Sequence, residues 1–183
     1  MANGIRADAR RNRERILEVA ALAFGTADGP VSLEAVARDA GVGIGTLYRH
    51  FPNREALVEA VYRAELAEVA ATAHELLQGH PPAEALRVWM DRYAKFVAAK
   101  RGMAESLTAI FASGAVAQGD TRAAIVAAVG ALLAAGADDG TLRPDVSADD
   151  VVSSLLGTML AAGSPEQCQR MFDLLIAGLV ASR

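Results

Sequence analysis

The chain has 183 residues, of which 52% are hydrophobic, and a formal net charge of −4 at pH 7. This length suits one or two compact units with a substantial buried core. The single cysteine excludes an internal disulfide and a cysteine-rich metal site, and no uncharged apolar run reaches the ~18 residues that a membrane span needs. The first residues also lack the apolar segment of a secretory signal, so we expect a cytoplasmic protein with no membrane partner.

The first predicted helix covers residues 9–26. Apolar side chains recur there at helical spacing and are expected to face inward, and a break follows at residues 28–30. The inward set is Ile16, Val19, Ala20, Ala23 and Phe24.

Residues 32–54, SLEAVARDAGVGIGTLYRHFPNR, predict two short helices joined by a glycine turn. Ser32 is expected to cap the first helix, because its hydroxyl can accept from a free amide of the first turn. Gly41 lies where the chain must turn, and glycine adopts a positive φ without a steric cost. The apolar stripe of the first helix is Leu33, Val36, Ala37 and Ala40.

The second short helix has one packed face and one open face. Leu47 and Phe51 are expected to point inward, and residues 52–53 end the helix and cap the next one. The opposite face is small at its start and hydrogen-bonding or basic after that. Such a helix-turn-helix typically places its second helix in the DNA major groove. The outward residues are Gly45, Thr46, Tyr48, Arg49 and His50.

Positive charge lies beside this motif. Residues 1–15 carry five arginines and two acidic residues, a net charge of +3, whereas residues 61–183 carry a net charge of −4. A charge run is often only a solvated helix face, but next to a helix-turn-helix it favours contacts with phosphates or the minor groove. We therefore expect Arg10 and Arg11, in a basic N-terminal arm, to contact DNA.

The segment GVGIGTLYRHFPNREALVEAV, residues 41–61, resembles the signature of TetR-type (TetR/AcrR) transcriptional regulators, with its TLYxHFxxK/R core. The resemblance covers residues 10–65, and residues 100–107 with the aromatic stripe before them are similar to an actinobacterial subgroup. It implies an all-α protein of about nine helices. Residues 1–55 would form the helix-turn-helix domain with its basic arm, and residues 56–183 a helical effector-binding and dimerisation domain.

The resemblance also implies roles for single residues. Gly45 and Thr46 match the positions where the helix closely approaches DNA. From its place off the core face, Tyr48 is expected to contact a phosphate or a thymine methyl group, and the outward His50 can donate to a phosphate. Where many members carry polar or basic side chains, this chain has Gly43 and Ile44, so base readout there is apolar or absent. Arg49 becomes the best candidate for direct base reading. The full predicted DNA-binding set is Arg10, Arg11, Ser32, Gly45, Thr46, Tyr48, Arg49, His50 and Arg54.

The remaining chain predicts helices at about 54–77, from residue 82, at 103–113 and 121–137, and after Ser147 and Ser164. Residues 151–162 and 174–181 are uncharged and apolar around most of the helix, as expected of an interior core helix or of a subunit interface. One apolar face of the first stretch would run from Val151 to Leu160. The family resemblance favours a homodimer through these last two helices.

An apolar and aromatic stripe in the second domain is either core or the lining of an effector cavity. The resemblance implies a cavity, whose ligand would be hydrophobic or amphipathic. Its predicted lining is Trp89, Arg92, Tyr93, Phe96, Met103, Leu107, Phe111 and Met159.

The predicted function is a dimeric repressor that a small effector releases from a palindromic operator. The alternatives are a DNA-binding regulator that needs no ligand and, much disfavoured, a helical enzyme that uses the apolar pocket. The glycines at 41, 43 and 45 do not match a dinucleotide or P-loop motif, and neither a catalytic constellation nor a metal or cofactor site is indicated.

Overall fold

The computed structural model describes residues 2–26, 31–99 and 118–181, which form eight α-helices. The described residues form two compact units, and the boundary between them lies between Glu65 and Leu66, inside the fourth helix. The helix predicted at 103–113 lies outside the described residues. The helices are α1 Ala2–Thr26, α2 Leu33–Asp39, α3 Ile44–His50, α4 Arg54–Gly79, α5 Pro82–Ala99, α6 Gln118–Asp138, α7 Ala148–Ala161 and α8 Pro165–Leu179.

The N-terminal unit encloses a core to which α1, α2, α3 and the first part of α4 all contribute. Of the inward set predicted for α1, Ile16, Ala20 and Phe24 are buried, and the other two are half-buried. The core also holds the predicted inward residues of α2 and α3 except Leu33, which is half-buried and packs against it. Its other members are Val36, Ala37, Ala40, Leu47, Phe51, Leu57, Val58 and Val61.

Helix α1 begins at Ala2, seven residues before the predicted start. Arg10 pairs with Glu14 at 3.6 Å, and Arg11 pairs with Asp8. Ion pairs three or four residues apart stabilise a helix by about 0.2–0.5 kcal/mol each, and the Asp8–Arg11 pair spans the predicted start. The basic arm continues α1 as helix.

The turn between α2 and α3 depends on a left-handed residue. Gly41 has φ +66°, and its amide donates to the Arg38 carbonyl at 2.9 Å. The Val42 amide donates to the Ala37 carbonyl, also at 2.9 Å, which completes a Schellman motif. The glycine turn predicted from the sequence is confirmed.

The predicted helix caps are also confirmed. The Ser32 hydroxyl accepts from the Ala35 amide at 3.2 Å, and Asn53 Oδ1 accepts from the Ala56 amide at 2.8 Å at the start of α4. At α8, Ser164 accepts from the Gln167 amide, but Gln167 Oε1 accepts from Gly163 and not from Ser164. The glutamine of this capping box thus reaches one residue further back than the standard pattern.

The C-terminal unit is built from the second part of α4 and from α5–α8. Helices α6 and α7 pack on each other, and the Leu142 and Val180 backbones form an isolated bridge. Residues 121–138 of α6 are long and apolar enough to cross a membrane by length and composition. A third of that window is buried within this unit, including Ile125, Val129 and Leu132.

Replacing Gly41 with Ala tests the turn. A side chain at positive φ costs about 1–2 kcal/mol, so Gly41→Ala should lower the free energy of unfolding by that amount. Gly25→Ala is the matched control, because Gly25 is helical and nothing lies within 4 Å of its added Cβ. Urea unfolding of both variants measures the difference, and equal stability would contradict the role of Gly41.

Candidate nucleic-acid interface

The outer face of α3 is the candidate interface. Leu47 and Phe51 are buried, so the helix can present only its opposite side to a ligand. That side carries the predicted residues. Its exposed members are Ile44, Gly45, Tyr48 and Arg49, and its half-buried members are Thr46 and His50.

Arg49 is folded back along α3. Its Nε donates to the Gly45 carbonyl at 3.1 Å, and its Nη2 donates to the Thr46 hydroxyl at 3.3 Å. A guanidinium has five N–H donors, so these bonds use two of them. Direct base reading by Arg49 stays a prediction that depends on the other three.

Ser32 and Glu34 form a local pair at the start of α2. The Ser32 hydroxyl donates to Glu34 Oε2 at 2.9 Å. Two hydrogen bonds lower the pKa of the Glu34 carboxyl: the larger effect comes from a bond with its own backbone, and the smaller from this bond with Ser32. The carboxyl therefore stays ionised at neutral pH. Ser32 must give up its bond to Glu34 before it can donate to a phosphate, and that contact stays a prediction.

Two arginines close to the motif hold the N-terminal unit together. Arg54 donates to the Val31 carbonyl at 2.5 Å, and its guanidinium lies 5.3 Å from the centre of the Phe24 ring. The Arg13 guanidinium lies 5.3 Å from the centre of the Phe51 ring. Arg54 therefore links α4 to the end of α1 and the start of α2, and its predicted phosphate contact would come in addition.

Arg10, Arg11 and His50 complete the predicted set. The two arginines are exposed on α1, and each is paired with an acidic residue of the same helix. The His50 ring is half-buried with its centre 6.3 Å from that of Phe51. The structure brings His50 next to Arg13, because both line one cleft.

This cleft was not predicted. It has a volume of about 440 Å³ and lies in the N-terminal unit between α1, the end of α3 and α4. Ala56, Ala60 and Ala64 recur every fourth residue of α4 and line it, and this small-residue spacing was a signal that the prediction passed over. The lining residues are Arg13, Leu17, His50, Phe51, Ala56, Glu59, Ala60, Arg63 and Ala64.

Five residues of the predicted effector lining are described, and three of them are buried in the C-terminal unit. Trp89, Tyr93 and Phe96 are buried and stacked, with successive ring centres 5.4 and 6.3 Å apart. The Trp89 indole N–H donates to the Val69 carbonyl at 3.0 Å. Arg92 is exposed and Met159 is half-buried. The other three predicted residues, Met103, Leu107 and Phe111, lie outside the described part of the chain.

Two family models match the chain. One, described as bacterial regulatory proteins of the tetR family, matches residues 16–61, which contain α2 and α3. The other, described as the C-terminal domain of SbtR-like transcriptional regulators, matches residues 81–181, more than half of the chain. The chain belongs to the TetR family.

Solved structures agree with this assignment. A TetR transcriptional regulator from Streptomyces coelicolor is 42% identical with a TM-score of 0.77, over 93% of this chain and 99% of that one. A TetR regulatory protein from Mycobacterium vanbaalenii is 36% identical with a TM-score of 0.72, over 97% and 99%. A gamma-butyrolactone receptor, 22% identical over 94% and 90% with a TM-score of 0.59, shows the fold alone.

Curated relatives match over a shorter range. An HTH-type transcriptional regulator from Staphylococcus aureus is 32% identical over 95 residues, or 50% of this chain. The chain spans about half the length of the curated relatives it matches. The TetR assignment therefore rests on the two family models and on the solved structures that match almost end to end.

Within the TetR fold, Gly45 has no internal reason to be glycine. It is helical, and among the described residues no atom beyond the local backbone lies within 4 Å of a Cβ added there. Glycine in a helix costs up to about 1 kcal/mol relative to alanine. An open glycine on the outer face of α3 leaves room for a DNA strand to approach the backbone, and that contact stays a prediction.

Gly45→Ala should therefore raise stability and weaken DNA binding in the same protein. We expect a gain of up to about 1 kcal/mol in the free energy of unfolding, because the helix loses a flexible residue. The affinity for a duplex selected with the unaltered protein should fall, since the added methyl group separates α3 from the DNA. Gly25→Ala is the control with open space in α1, and it should leave affinity unchanged. Unchanged DNA affinity in Gly45→Ala would contradict a close approach of DNA to the backbone at this position.

Proposed function

We propose that this TetR-family protein is a homodimeric repressor whose two α3 helices enter successive major grooves of a palindromic operator. The observation that carries the proposal is the outer face of α3, which exposes glycine, apolar, aromatic and basic residues opposite a buried Leu47 and Phe51. TetR-family regulators bind DNA and usually dimerise. We further propose that the protein acts in the cytoplasm and has no catalytic activity.

The charge distribution supports DNA as the partner. Five arginines lie between residues 6 and 15 of α1, in the unit that contains α3, while residues 61–183 carry a net charge of −4. Phosphates attract the first and repel the second, so encounters that present the N-terminal unit are favoured. The predicted phosphate contacts of Arg10 and Arg11 would add affinity that decreases as salt increases.

The last two helices carry the surface proposed for dimerisation. Val151, Val152 and Leu155 of α7 are buried, as expected of a core face, but Leu160 is 87% exposed, so the predicted apolar face was too wide. Leu160 falls on the opposite side of α7 because nine residues are two and a half turns from Val151. On α8, Leu174 is 74% exposed. If a second copy of the chain covers these two leucines, each buried side chain stabilises the interface by about 1.5–3 kcal/mol.

An effector would regulate the dimer by shifting its conformation. We propose a small hydrophobic or amphipathic molecule that binds the C-terminal domain and favours a state whose two α3 helices no longer match the operator. It can do so only through a difference in its affinity for the two states. Helix α4 belongs to both units, so it provides a continuous covalent connection between them.

A ligand-independent regulator is the second candidate, and one observation favours it. Trp89, Tyr93 and Phe96 pack on one another, and the Trp89 N–H is satisfied by a backbone carbonyl, so these residues act as core. Binding of a small molecule that dissociates the protein from its operator would support the first candidate. Operator binding that stays constant across a library of apolar compounds would support the second.

Selection from a genomic DNA library, repeated over a salt series, tests the DNA-binding proposal. A palindromic sequence should be recovered, and its affinity should fall by roughly tenfold or more in Tyr48→Ala and Arg49→Ala, because both replace exposed side chains of the reading face. Arg170→Ala, on an exposed position of α8, is the control. Binding that is independent of sequence, or affinity that is equal in all variants, would reject α3 as the reading helix.

The dimer surface is tested by adding charge to it. Leu160→Asp combined with Leu174→Asp should convert the dimer to a monomer, because buried carboxylates in an apolar interface are strongly disfavoured. Lys95→Asp, on an exposed position of α5, is the control and should stay dimeric. Light scattering after size exclusion gives the mass, and a dimer that survives the double substitution would place the interface elsewhere.

A further inference from the structure

Two apolar side chains project from the reading face of α3. Ile44 is 37% exposed and Tyr48 is 44% exposed, and they lie one helical turn apart on the same side. Single exposed apolar residues are common on protein surfaces, but an adjacent pair on a DNA-reading helix forms a strip. We call these two residues the apolar strip.

The two residues that flank Ile44 are glycines, so no neighbouring side chain covers it. Gly43 and Gly45 have no side chains, and no other atoms lie within 4 Å of a Cβ added at either position. Gly43 is the N-cap of α3 and makes no side-chain cap, although serine or asparagine would fit there and stabilise the helix. Both glycines thus forgo helix stability and keep the space around Ile44 open.

Polar side chains near the start of α3 already make hydrogen bonds within the protein. Two donors of Arg49 are directed to the Gly45 carbonyl and the Thr46 hydroxyl, and the Glu34 carboxylate holds the Ser32 hydroxyl. Between its two glycine neighbours, the Ile44 side chain itself presents only hydrocarbon to a ligand. A polar base edge placed against Ile44 would lose its water without gaining a hydrogen bond.

The major groove has one apolar group for such a side chain to contact. It is the C5-methyl group of thymine, because every other base edge there presents donors or acceptors. Four residues of helix rise about 6 Å, and base pairs are about 3.4 Å apart, so the strip covers roughly two neighbouring base pairs.

We propose that the apolar strip reads the methyl groups of thymines on one or two neighbouring base pairs in each half of the operator, with Ile44 as the specificity-determining residue. This inference rests on the proposed function, in which α3 enters the major groove. The inference adds to that function the identity of the base, thymine, that Ile44 would contact.

Thymine-to-uracil substitution tests the inference atom by atom. In the duplex recovered by genomic selection, each thymine is replaced in turn by deoxyuridine, which removes the methyl group and keeps base pairing. At one or two neighbouring positions per half-site the affinity should fall about fourfold, the factor that corresponds to burial of one methyl group. Elsewhere in the duplex the substitution should have little effect.

Protein variants then assign the methyl contact to a residue. Ile44→Ala should bind the unmodified duplex about as weakly as the unaltered protein binds the uracil duplex, and uracil at that position should not weaken it further. Ile44→Val retains a branched side chain and should keep part of the discrimination. Because Ile44 is exposed, thermal unfolding should show both variants folded.

Each other result has a separate meaning. A specific duplex whose affinity is unchanged by uracil at every position would overturn the thymine inference and leave the repressor proposal intact. Uracil sensitivity that persists in Ile44→Ala would assign the methyl contact to another residue and overturn the role of Ile44. Failure to recover any specific duplex would reject the proposed function and this inference with it.

Discussion

The outer face of α3 depends on the burial of Leu47 and Phe51 on its inner side. A helix of seven residues is too short to be stable alone, since isolated helices below about 12–15 residues are marginal in water. Packing against α1, α2 and α4 therefore determines both that α3 forms and which of its sides faces outward. Each outward residue owes its position to these two side chains.

Arginines of α1 and α4 reinforce that packing. Arg13 lies over Phe51, Arg54 lies over Phe24 and bonds to the backbone before α2, and the Arg15 guanidinium lies against the Gly41 turn. A cation over an aromatic ring contributes about 0.5–1 kcal/mol at an exposed site. These arginines thus stabilise the packing around α3, and their positive charge also suits the proposed binding of DNA.

The fold could be predicted from the sequence because its signals are local. Apolar spacing gave the helices, Gly41 the turn, and Ser32, Asn53, Ser147 and Ser164 the helix starts. Each of these signals involves residues within one or two helical turns of one another, so all the residues that form it are close together in the sequence.

The direction of long side chains could not be predicted in the same way. Arg54 bonds to a carbonyl 23 residues earlier, and Arg49 bends back onto its own helix. Nor does an apolar stripe distinguish core from cavity, because both require the same residue types. Trp89, Tyr93 and Phe96 fit either interpretation until their stacking is seen.

Methyl recognition alone would not make this protein specific enough. Two methyl contacts of about fourfold each give roughly 16-fold discrimination per half-site, and roughly 250-fold for a symmetric dimer. Specific DNA-binding proteins typically discriminate by about 10³ or more against other sequences. In the proposed complex the missing factor would come from other predicted contacts, such as the remaining donors of Arg49 and a minor-groove contact by Arg10 and Arg11, and from the cost of deforming the DNA. The apolar strip would set which bases are preferred, and the arginines how tightly the whole site is held.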